Sequence, residues 1–299
     1  MTGQGRHIVV LALRRSGTTA LWRILRQDAG HTCYDEPFSQ LLKDLSRNNH
    51  KNTWDEFLTL RDADPAAWAA HYAPIPREQE VETDLTPTQE DYLRYLVSPG
   101  PVALDETRMP AKLPAVARIV PEAVAVHLYR HPAAFVSSHM IASQNKAPMR
   151  QRLHRFAFFS RPLYFNSWGM EQLWRAPIRA KTEALMRSVG VSIPGVRAPA
   201  THKLMASWLA SWRSLERDGK AQYGAGFVSM SFEDFCAAPQ EHLARIYERA
   251  DRAPFAFDVT GLHAAQSGYR PDDPRWRRAA IAVGFSEDEL ARFFPRGPE

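Results

Sequence analysis

The sequence has 299 residues, of which 44% are hydrophobic and 24% are charged, and its net charge is +5. This composition is typical of a globular protein with a sizeable core. The basic excess suits an anionic ligand, but no run of Lys or Arg exceeds two residues, which argues against nucleic acid as a partner. No apolar run approaches the length of a membrane span, and the N-terminus does not resemble a signal peptide. Cys33 and Cys236 lack metal-site or disulfide spacing, so we expect a cytoplasmic protein without a metal.

Short apolar runs alternate with helical patterns along the chain. Continuous apolar runs rich in β-branched residues are typical of buried parallel strands. Such runs predict strands at residues 7–13, 32–34, 102–104, 123–129 and 227–231. Helices are predicted at residues 18–28, 132–138 and 239–249, and residues 40–98 are mostly helical with a break at Pro74 and Pro76. The alternation predicts an α/β fold in which helices flank a parallel sheet.

Residues 139–200 depart from this alternation and mix aromatic with basic side chains. We expect them to form a helical insertion on the acceptor side of a single domain that spans residues 1–299. The aromatic side chains favour a partly apolar acceptor, although they would equally serve as the core of the insertion itself.

The loop at residues 14–19 lies between the first strand and the first helix. A helix that starts directly after a buried strand offers unpaired N–H groups and a partial positive charge to an anion. Gly17 and Thr19 match the second glycine and the hydroxyl residue of the nucleoside-triphosphate loop, but Thr18 stands at the lysine position. The cation Arg15 instead precedes the glycine. The loop is therefore suited to one phosphate and a transferring group rather than to ATP with magnesium.

This loop resembles the first signature of the PAPS-dependent sulfotransferases of the bacterial, soluble type, where PAPS is 3'-phosphoadenosine 5'-phosphosulfate. The resemblance implies a P-loop-like sheet, and it implies that Arg15 stabilises charge on the bridging oxygen and the sulfuryl group. Arg14 replaces the usual proline and is counted with the donor-binding residues. The 5'-phosphate would be held by Ser16, Gly17, Thr18 and Thr19. From the residues alone, a helix cap made by Ser16 or Thr18 explains the loop equally well.

A second signature follows the predicted strand at residues 123–129. Arg130, Pro132 and Ser138 have the spacing of the family's second phosphate-binding segment. An arginine at a strand end can grip a phosphate with two hydrogen bonds, and proline suits the first turn of a helix. The resemblance assigns Arg130 and Ser138 to the 3'-phosphate of PAPS. The alternative is a surface arginine and an unrelated helical serine.

A third match is structural. The strand at residues 227–231 and the stretch after it, Phe232-Glu-Asp-Phe235 with Pro239, resemble a structural segment of the same family. This match supports the fold more than the site.

Sulfuryl transfer to a hydroxyl needs a base near the donor. Glu36 is the first candidate, because it ends the second predicted strand at the edge where such sheets bind ligands. Related sulfotransferases carry a similar Glu-Pro pair there, and in some of them that Glu is the base. The alternatives are that Glu36 pairs with an arginine, or that Asp105, Glu106 or a histidine is the base. Lys112 is a candidate replacement for a lysine that relatives carry near position 106.

Two histidines and the C-terminal region carry weaker signals. His127 is expected to be a core residue and His131 to shape the second loop. Relatives often close a C-terminal loop over the nucleotide, and Arg270 or Trp276 would do so here; a solvated basic surface is the alternative.

The resemblance implies an enzyme that transfers a sulfuryl group from PAPS to a hydroxyl of a small acceptor, such as a secondary metabolite or a glycolipid, and releases PAP. The alternatives are a P-loop phosphotransferase and a non-catalytic PAP-binding protein. The sequence leaves open the oligomeric state, with a homodimer as one option, and whether the sulfate is the end product or a leaving group.

Overall fold

The computed structural model describes residues 5–45, 53–140, 200–264 and 274–295. The chain forms two compact units, one made of residues 1–129 and 213–264 and the other of residues 130–212 and 265–299. Residues 141–199, which hold nearly all of the predicted insertion, and Arg270 lie outside the described residues. The single-domain organisation stays a prediction.

The first unit is built on a five-stranded sheet. Its strands are β1 (Ile8–Leu11), β2 (Thr32–Asp35), β3 (Val102–Glu106), β4 (Val124–Tyr129) and β5 (Phe227–Ser231). All neighbouring strands are parallel, and their order is β2-β3-β1-β4-β5. All five predicted strands are confirmed, and the central position of β1 follows from its pairing with both β3 and β4.

Helices connect these strands, so the predicted P-loop-like α/β fold is confirmed. The described helices are α1 (Thr18–Leu25), α2 (Asp55–Ala63), α3 (Pro65–His71), α4 (Pro87–Val97), α5 (Leu113–Ile119), α6 (Pro132–Met140), α7 (Ala200–Tyr223), α8 (Phe232–Ala237), α9 (Pro239–Arg249), α10 (Pro274–Ala282) and α11 (Glu287–Phe293). Short 3-10 helices lie at residues 40–44, 77–79, 110–112 and 224–226. No helix in these parts of the chain is long and apolar enough to cross a membrane.

Local chemistry sets the ends of several helices. Thr86 and Gln89 form a reciprocal capping box at the start of α4, and Pro87 occupies its first turn. Helix α1 ends at Leu25, three residues before the predicted end at residue 28. The Asp28 carboxylate there accepts a hydrogen bond from the Gly30 amide at 2.8 Å, a local turn that competes with the helix.

The core of the first unit lies on both faces of the sheet. Val9 and Leu11 of β1 face one apolar cluster, whereas Ile8 and Val10 face the other. Because both faces are covered, the strand is continuously apolar rather than alternating. The core therefore holds β1 in the middle of the first unit. It also fixes the start of the loop that follows β1.

In the second unit, aromatic packing holds the helices together. The ring of Trp208 stacks on that of Trp212 at 5.9 Å, and Phe293 meets Trp208 edge-on at 5.1 Å. Trp208 is buried and Trp212 is partly buried. The interpretation of these tryptophans as packing residues is consistent with both contacts.

Candidate active site

Two predicted site segments of the first unit and the turn that carries Arg108 follow neighbouring parallel strands. The loop at residues 12–17 follows β1, Glu36 follows β2, and residues 107–109 follow β3. The register pairs Leu11 with Glu106 and Asp35 with Asp105. These segments therefore share the carboxyl edge of the sheet, where open parallel sheets bind ligands.

The loop after β1, which we call the donor loop (residues 12–17), has an unusual backbone. Arg15 has a φ of 74° and Gly17 a φ of 96°. The left-handed conformation costs a non-glycine residue about 1–3 kcal/mol, so it persists only where the surroundings impose it. The Ser16 amide donates to the Leu13 carbonyl at 3.3 Å and closes the turn. The Arg15 side chain is exposed.

Gly17 is required for space as well as for its backbone angle. A Cβ atom at this position would collide with the ring of Phe232. Phe232 begins α8, in the segment that matched the family's third signature. That segment, predicted to be structural, therefore acts on the site by packing against the donor loop.

The polar groups of the loop support an anion site rather than a simple cap. Gly17 is the N-cap of α1 and provides no side-chain hydrogen bond. The hydroxyl of Ser16 is buried and has no hydrogen-bond partner in the described structure, so Ser16 does not cap the helix. Buried polar atoms nearly always have a partner, and an unsatisfied one needs an explanation such as an absent ligand. Thr18 is buried and Thr19 is exposed at the start of the same helix.

Arg14 contacts a residue that the sequence did not single out. Its Nη1 donates to Glu80 Oε2 at 2.8 Å and its Nη2 to Glu80 Oε1 at 2.5 Å. The Glu80 side chain is fully buried. This two-pronged ion pair ties the donor loop to the segment before α4, which gives a role to the residue at the usual proline position.

Glu36 lies in a polar pocket made by the turn after β3. Its Oε1 accepts a hydrogen bond from Thr107 Oγ1 at 2.8 Å, and its Oε2 accepts one from Arg108 Nη1 at 3.0 Å. Its side chain is 33% exposed, and its φ is 50°. The predicted alternative that Glu36 pairs with an arginine is therefore realised with Arg108.

The three candidate carboxyl groups differ in their protonation. Burial opposes ionisation of Glu36, but the charges of Arg108 and Arg14 outweigh it and hold its pKa below the ordinary value. Burial raises the pKa of Asp105 well above its ordinary range, and the neighbouring charges of Asp35 and Glu36 raise it further. Asp105 is therefore suited to a protonated state, in which it cannot accept a proton.

Glu106 is buried and its oxygens are occupied. Its Oε2 accepts from the Phe38 amide at 2.9 Å, and its Oε1 accepts from the amides of Thr107 and Arg108, each at 2.8 Å. Burial raises the pKa of Glu106, and the charge of Arg108 opposes the shift. These contacts fix the turns after β2 and β3, a structural role.

Lys112 does not face the carboxylates as a free cation would. It is buried, and its Nζ donates to the backbone carbonyls of Glu82 at 2.9 Å and Asp84 at 2.8 Å. The contacts with these carbonyls indicate that Lys112 anchors the segment before α4. Arg108, not Lys112, brings positive charge to Glu36.

The second signature lies at the start of the second unit, directly after β4. Arg130 is largely buried, and its carbonyl accepts from Trp208 Nε1 at 3.0 Å. His131 Nδ1 accepts from the Ala133 amide at 3.2 Å, which confirms that it shapes the turn. Ser138 Oγ donates to the Phe135 carbonyl at 2.7 Å. Because a hydroxyl has a single hydrogen, Ser138 must rotate before it can donate to a phosphate.

The structure also shows where His127 and Trp276 lie. His127 is buried, and its Nδ1 lies 2.9 Å from Glu216 Oε1, which confirms it as a satisfied core residue. Trp276 lies on α10 in the second unit and is partly buried. Its closing over a nucleotide stays a prediction.

Sequence reasoning missed Glu80 and the role of Arg108. Glu80 lies in a polar stretch without a motif, and its partner Arg14 is 66 residues away. Arg108 belongs to none of the motifs that the sequence offered. Its contact with Glu36 depends on the adjacency of β2 and β3, which the residues do not specify.

Comparisons with known proteins bear on the family of this chain. The family model described as "Sulfotransferase family" matches residues 7–164. No curated protein matches the chain significantly. Similar solved structures include a sulfotransferase from Alicyclobacillus acidocaldarius, which is 14% identical with a TM-score of 0.46 and alignment over 98% of this chain and 97% of that one. A sulfotransferase domain from the Synechococcus PCC 7002 olefin synthase is 15% identical with a TM-score of 0.45, over 100% and 99% of the two chains. A sulfotransferase domain from the curacin biosynthetic pathway is 14% identical with a TM-score of 0.45, over 99% and 94%.

The assignment rests on the family model, because it spans the donor loop, Glu36 and the second signature. Its match extends over more than half of the 299 residues. The protein therefore belongs to the sulfotransferase family.

Proposed function

We propose that the protein transfers a sulfuryl group from PAPS to a hydroxyl of a small, partly apolar acceptor. The observation that carries the proposal is the buried, unpartnered Ser16 hydroxyl in a loop that Gly17 opens at the start of α1. Such a loop presents N–H groups and a hydroxyl to one phosphate without the lysine that a triphosphate requires. PAPS supplies the activated sulfuryl group, and the residues present fit its 5'-phosphate.

Each site residue has a distinct task in the proposed reaction. Ser16 and the start of α1 hold the 5'-phosphate, while Arg130 and Ser138 bind the 3'-phosphate. Arg15 stabilises the charge that develops on the phosphate oxygen as its bond to sulfur breaks. The acceptor oxygen forms the new bond to sulfur, the electron pair of the broken bond leaves with PAP, and the acceptor proton passes to Glu36.

Glu36 is the carboxylate best suited to this role. Its lowered pKa keeps it ionised at neutral pH, and a third of its side chain reaches solvent. Asp105 and Glu106 are both buried, and burial favours their protonated forms. We assign the base to Glu36 for these reasons.

The acceptor class and the compartment are also part of this proposal. The aromatic side chains of residues 139–200 favour a secondary metabolite or a glycolipid. The two cysteines are free, which suits a cytoplasmic enzyme.

The proposal is tested by binding and by transfer. Isothermal titration should show tighter binding of PAP than of ATP, and ³⁵S-labelled PAPS should label an alcohol in a panel of aliphatic, phenolic and glycolipid acceptors. The role of Glu36 is tested by substitution. Glu36→Gln should reduce kcat by about 10²–10⁴-fold, the range for loss of a general base, and should leave the affinity for PAP unchanged. The exposed Glu122→Gln is the matched control. Preferred binding of ATP would instead support a phosphotransferase, and full transfer by Glu36→Gln would remove Glu36 as the base.

A further inference from the structure

The donor loop and the candidate base are connected through charged side chains of the first unit. Arg14 in the donor loop grips the buried Glu80 with two hydrogen bonds. Arg108 Nε lies 3.9 Å from Glu80 Oε1, which also accepts from Arg14. Arg108 Nη1 donates to Glu36 Oε2 at 3.0 Å. An unbroken path of alternating charges thus runs from Arg14 through Glu80 and Arg108 to Glu36. We call these four residues the bridging network.

Arg108 is the centre of this network. Besides Glu36 and Glu80, its Nη1 donates to Glu106 Oε1 at 3.2 Å and its Nη2 to Ser39 Oγ at 3.3 Å. Its side chain is only 12% exposed. A planar guanidinium can hold several acceptors in fixed directions, which a lysine ammonium cannot do in the same way. The guanidinium of Arg108 therefore fixes the direction in which the Glu36 carboxylate points.

One end of the network lies beside a strained backbone position, and the other end lies at one. Arg15, next to Arg14, has a φ of 74°, and Glu36 has a φ of 50°. Among the described residues, Asp251 is the one other non-glycine residue with a positive φ. Strained residues persist where surrounding contacts over-determine them. The ion pairs at Arg14 and at Glu36 supply such contacts directly beside each strained residue.

We infer that Arg108 and Glu80 are positioning residues that hold the donor loop and the Glu36 carboxylate in one connected ion-pair network. The inference deepens the proposed function, and it rests on that function for its kinetic consequence. Neither residue needs to touch the donor or the acceptor. Their task is to keep Arg15 and Glu36 in place at the same time, since a small displacement of a reacting group is costly to the rate.

The charges around Glu36 give this inference a pH signature. The charged or titratable groups around it are Arg14 of the donor loop, Asp105 and Glu106 of β3, and Arg108 of the turn after β3. Glu80, from the segment before α4, faces Arg108. Burial and the neighbouring carboxyl groups favour the protonated form of Glu36, and the arginines oppose them. Loss of the Arg108 charge should therefore raise the pKa of Glu36 and move the acid limb of the kcat profile to higher pH.

The kinetic test compares Arg108→Met, Arg108→Lys and Glu80→Gln. Arg108→Met should lower kcat by about 10²-fold, comparable to the loss expected when a reacting group is misplaced, and should move the acid limb up by about one pH unit or more. Arg108→Lys keeps the positive charge but loses the fixed hydrogen-bond directions of the guanidinium. Its acid limb should therefore lie at the wild-type pH, while its kcat should lie between those of the wild type and Arg108→Met. Glu80→Gln should lower kcat and weaken PAP binding, because it releases Arg14. The controls are Arg118→Met and Glu90→Gln, which remove the exposed and the partly exposed member of an ion pair outside the network and should match the wild type.

A second measurement separates this inference from the proposed function. Carbon-13 NMR of protein labelled at the glutamate carboxyl carbons follows the Glu36 titration directly, with the signal assigned by its loss in Glu36→Gln. If wild-type protein neither binds PAP nor transfers sulfate, the proposed function fails, while a higher Glu36 pKa in Arg108→Met still supports the network.

Unchanged Glu36 titration in Arg108→Met overturns the inference. So does a fall in melting temperature without any change in kcat, KM or the acid limb, because that result describes a purely structural arginine. If Arg108→Met does not fold, the test uses Arg108→Lys and Glu80→Gln instead. Wild-type kcat and wild-type PAP affinity in both variants would overturn the inference.

Discussion

The loop after β1 and the loop after β4 share the order of strand, arginine and helix, yet they are built differently. In the donor loop, Arg15 and Gly17 have left-handed backbones. None of residues 130–138 has a positive φ. The second loop is held by ordinary contacts, such as the bond from the Phe135 amide to the His131 carbonyl at 2.8 Å.

This difference indicates a division of labour. Backbone strain tends to be kept where chemistry needs a group in an otherwise unfavourable place. Arg15 fits that description, and the contacts of Arg14 with Glu80 and of Gly17 with Phe232 hold the strain. A loop that only grips a phosphate needs no strain. We therefore expect loss of the Arg15 side chain to act on turnover and loss of the Arg130 side chain to act on affinity.

The largest effect is expected for Arg15→Ala. Loss of a group that stabilises charge only in the transition state typically reduces kcat by about 10²–10³-fold. Binding of PAP should change by only a few fold, because Ser16 and the start of α1 remain. Single-turnover transfer from PAPS and calorimetric titration with PAP measure the two quantities. The control is Arg23→Ala, which removes an exposed arginine of α1. Near-normal turnover in Arg15→Ala would show that the chemistry does not depend on this loop.

Local patterns were enough to predict the two loops and the strands that precede them. Ile8 to Leu11 is continuously apolar because both faces of β1 are covered, and the glycine and threonines that follow predict an anion loop. Phe227–Ser231 and Pro239–Arg249 were predicted at the bounds that the structure has. Such features depend on neighbours in sequence.

The contacts that hold the strain could not be predicted in this way. The partner of Arg14 is Glu80, and the partner of Glu36 is Arg108, 72 residues away. The order of strands decides which loops meet, and no single strand specifies that order. Sequence therefore identified the residues proposed for chemistry but not the residues that hold them.

The next effect in size is expected for Gly17→Ala. A left-handed backbone costs alanine about 1–2 kcal/mol, and the new methyl group collides with Phe232, which adds about 1–3 kcal/mol. The free energy of unfolding should fall by the sum, and kcat should fall with it as the loop shifts. Denaturant unfolding measures the first quantity. Gly224→Ala is the control, since Gly224 also has a positive φ (51°) but has no atom near the added methyl group. Equal losses in the two variants would show that Phe232 does not support the donor loop.

The smallest effect is expected for Arg130→Ala, and it should appear in affinity. A hydrogen bond to a charged group contributes about 1.5–3 kcal/mol, which corresponds to about a 10–150-fold rise in the KM for PAPS, with kcat changed by only a few fold. The decisive comparison uses two ligands, PAP and 5'-AMP, which differ by the 3'-phosphate. Wild-type protein should prefer PAP, and Arg130→Ala should lose most of that preference while its affinity for 5'-AMP stays the same. Arg130→Lys should keep part of the preference, because it retains the charge without the paired hydrogen bonds. If Arg130→Ala weakens both ligands equally, Arg130 supports the fold rather than the 3'-phosphate. A large fall in kcat in Arg130→Ala would show that Arg130 acts on turnover, as Arg15 is expected to do. The two loops would then not differ in function.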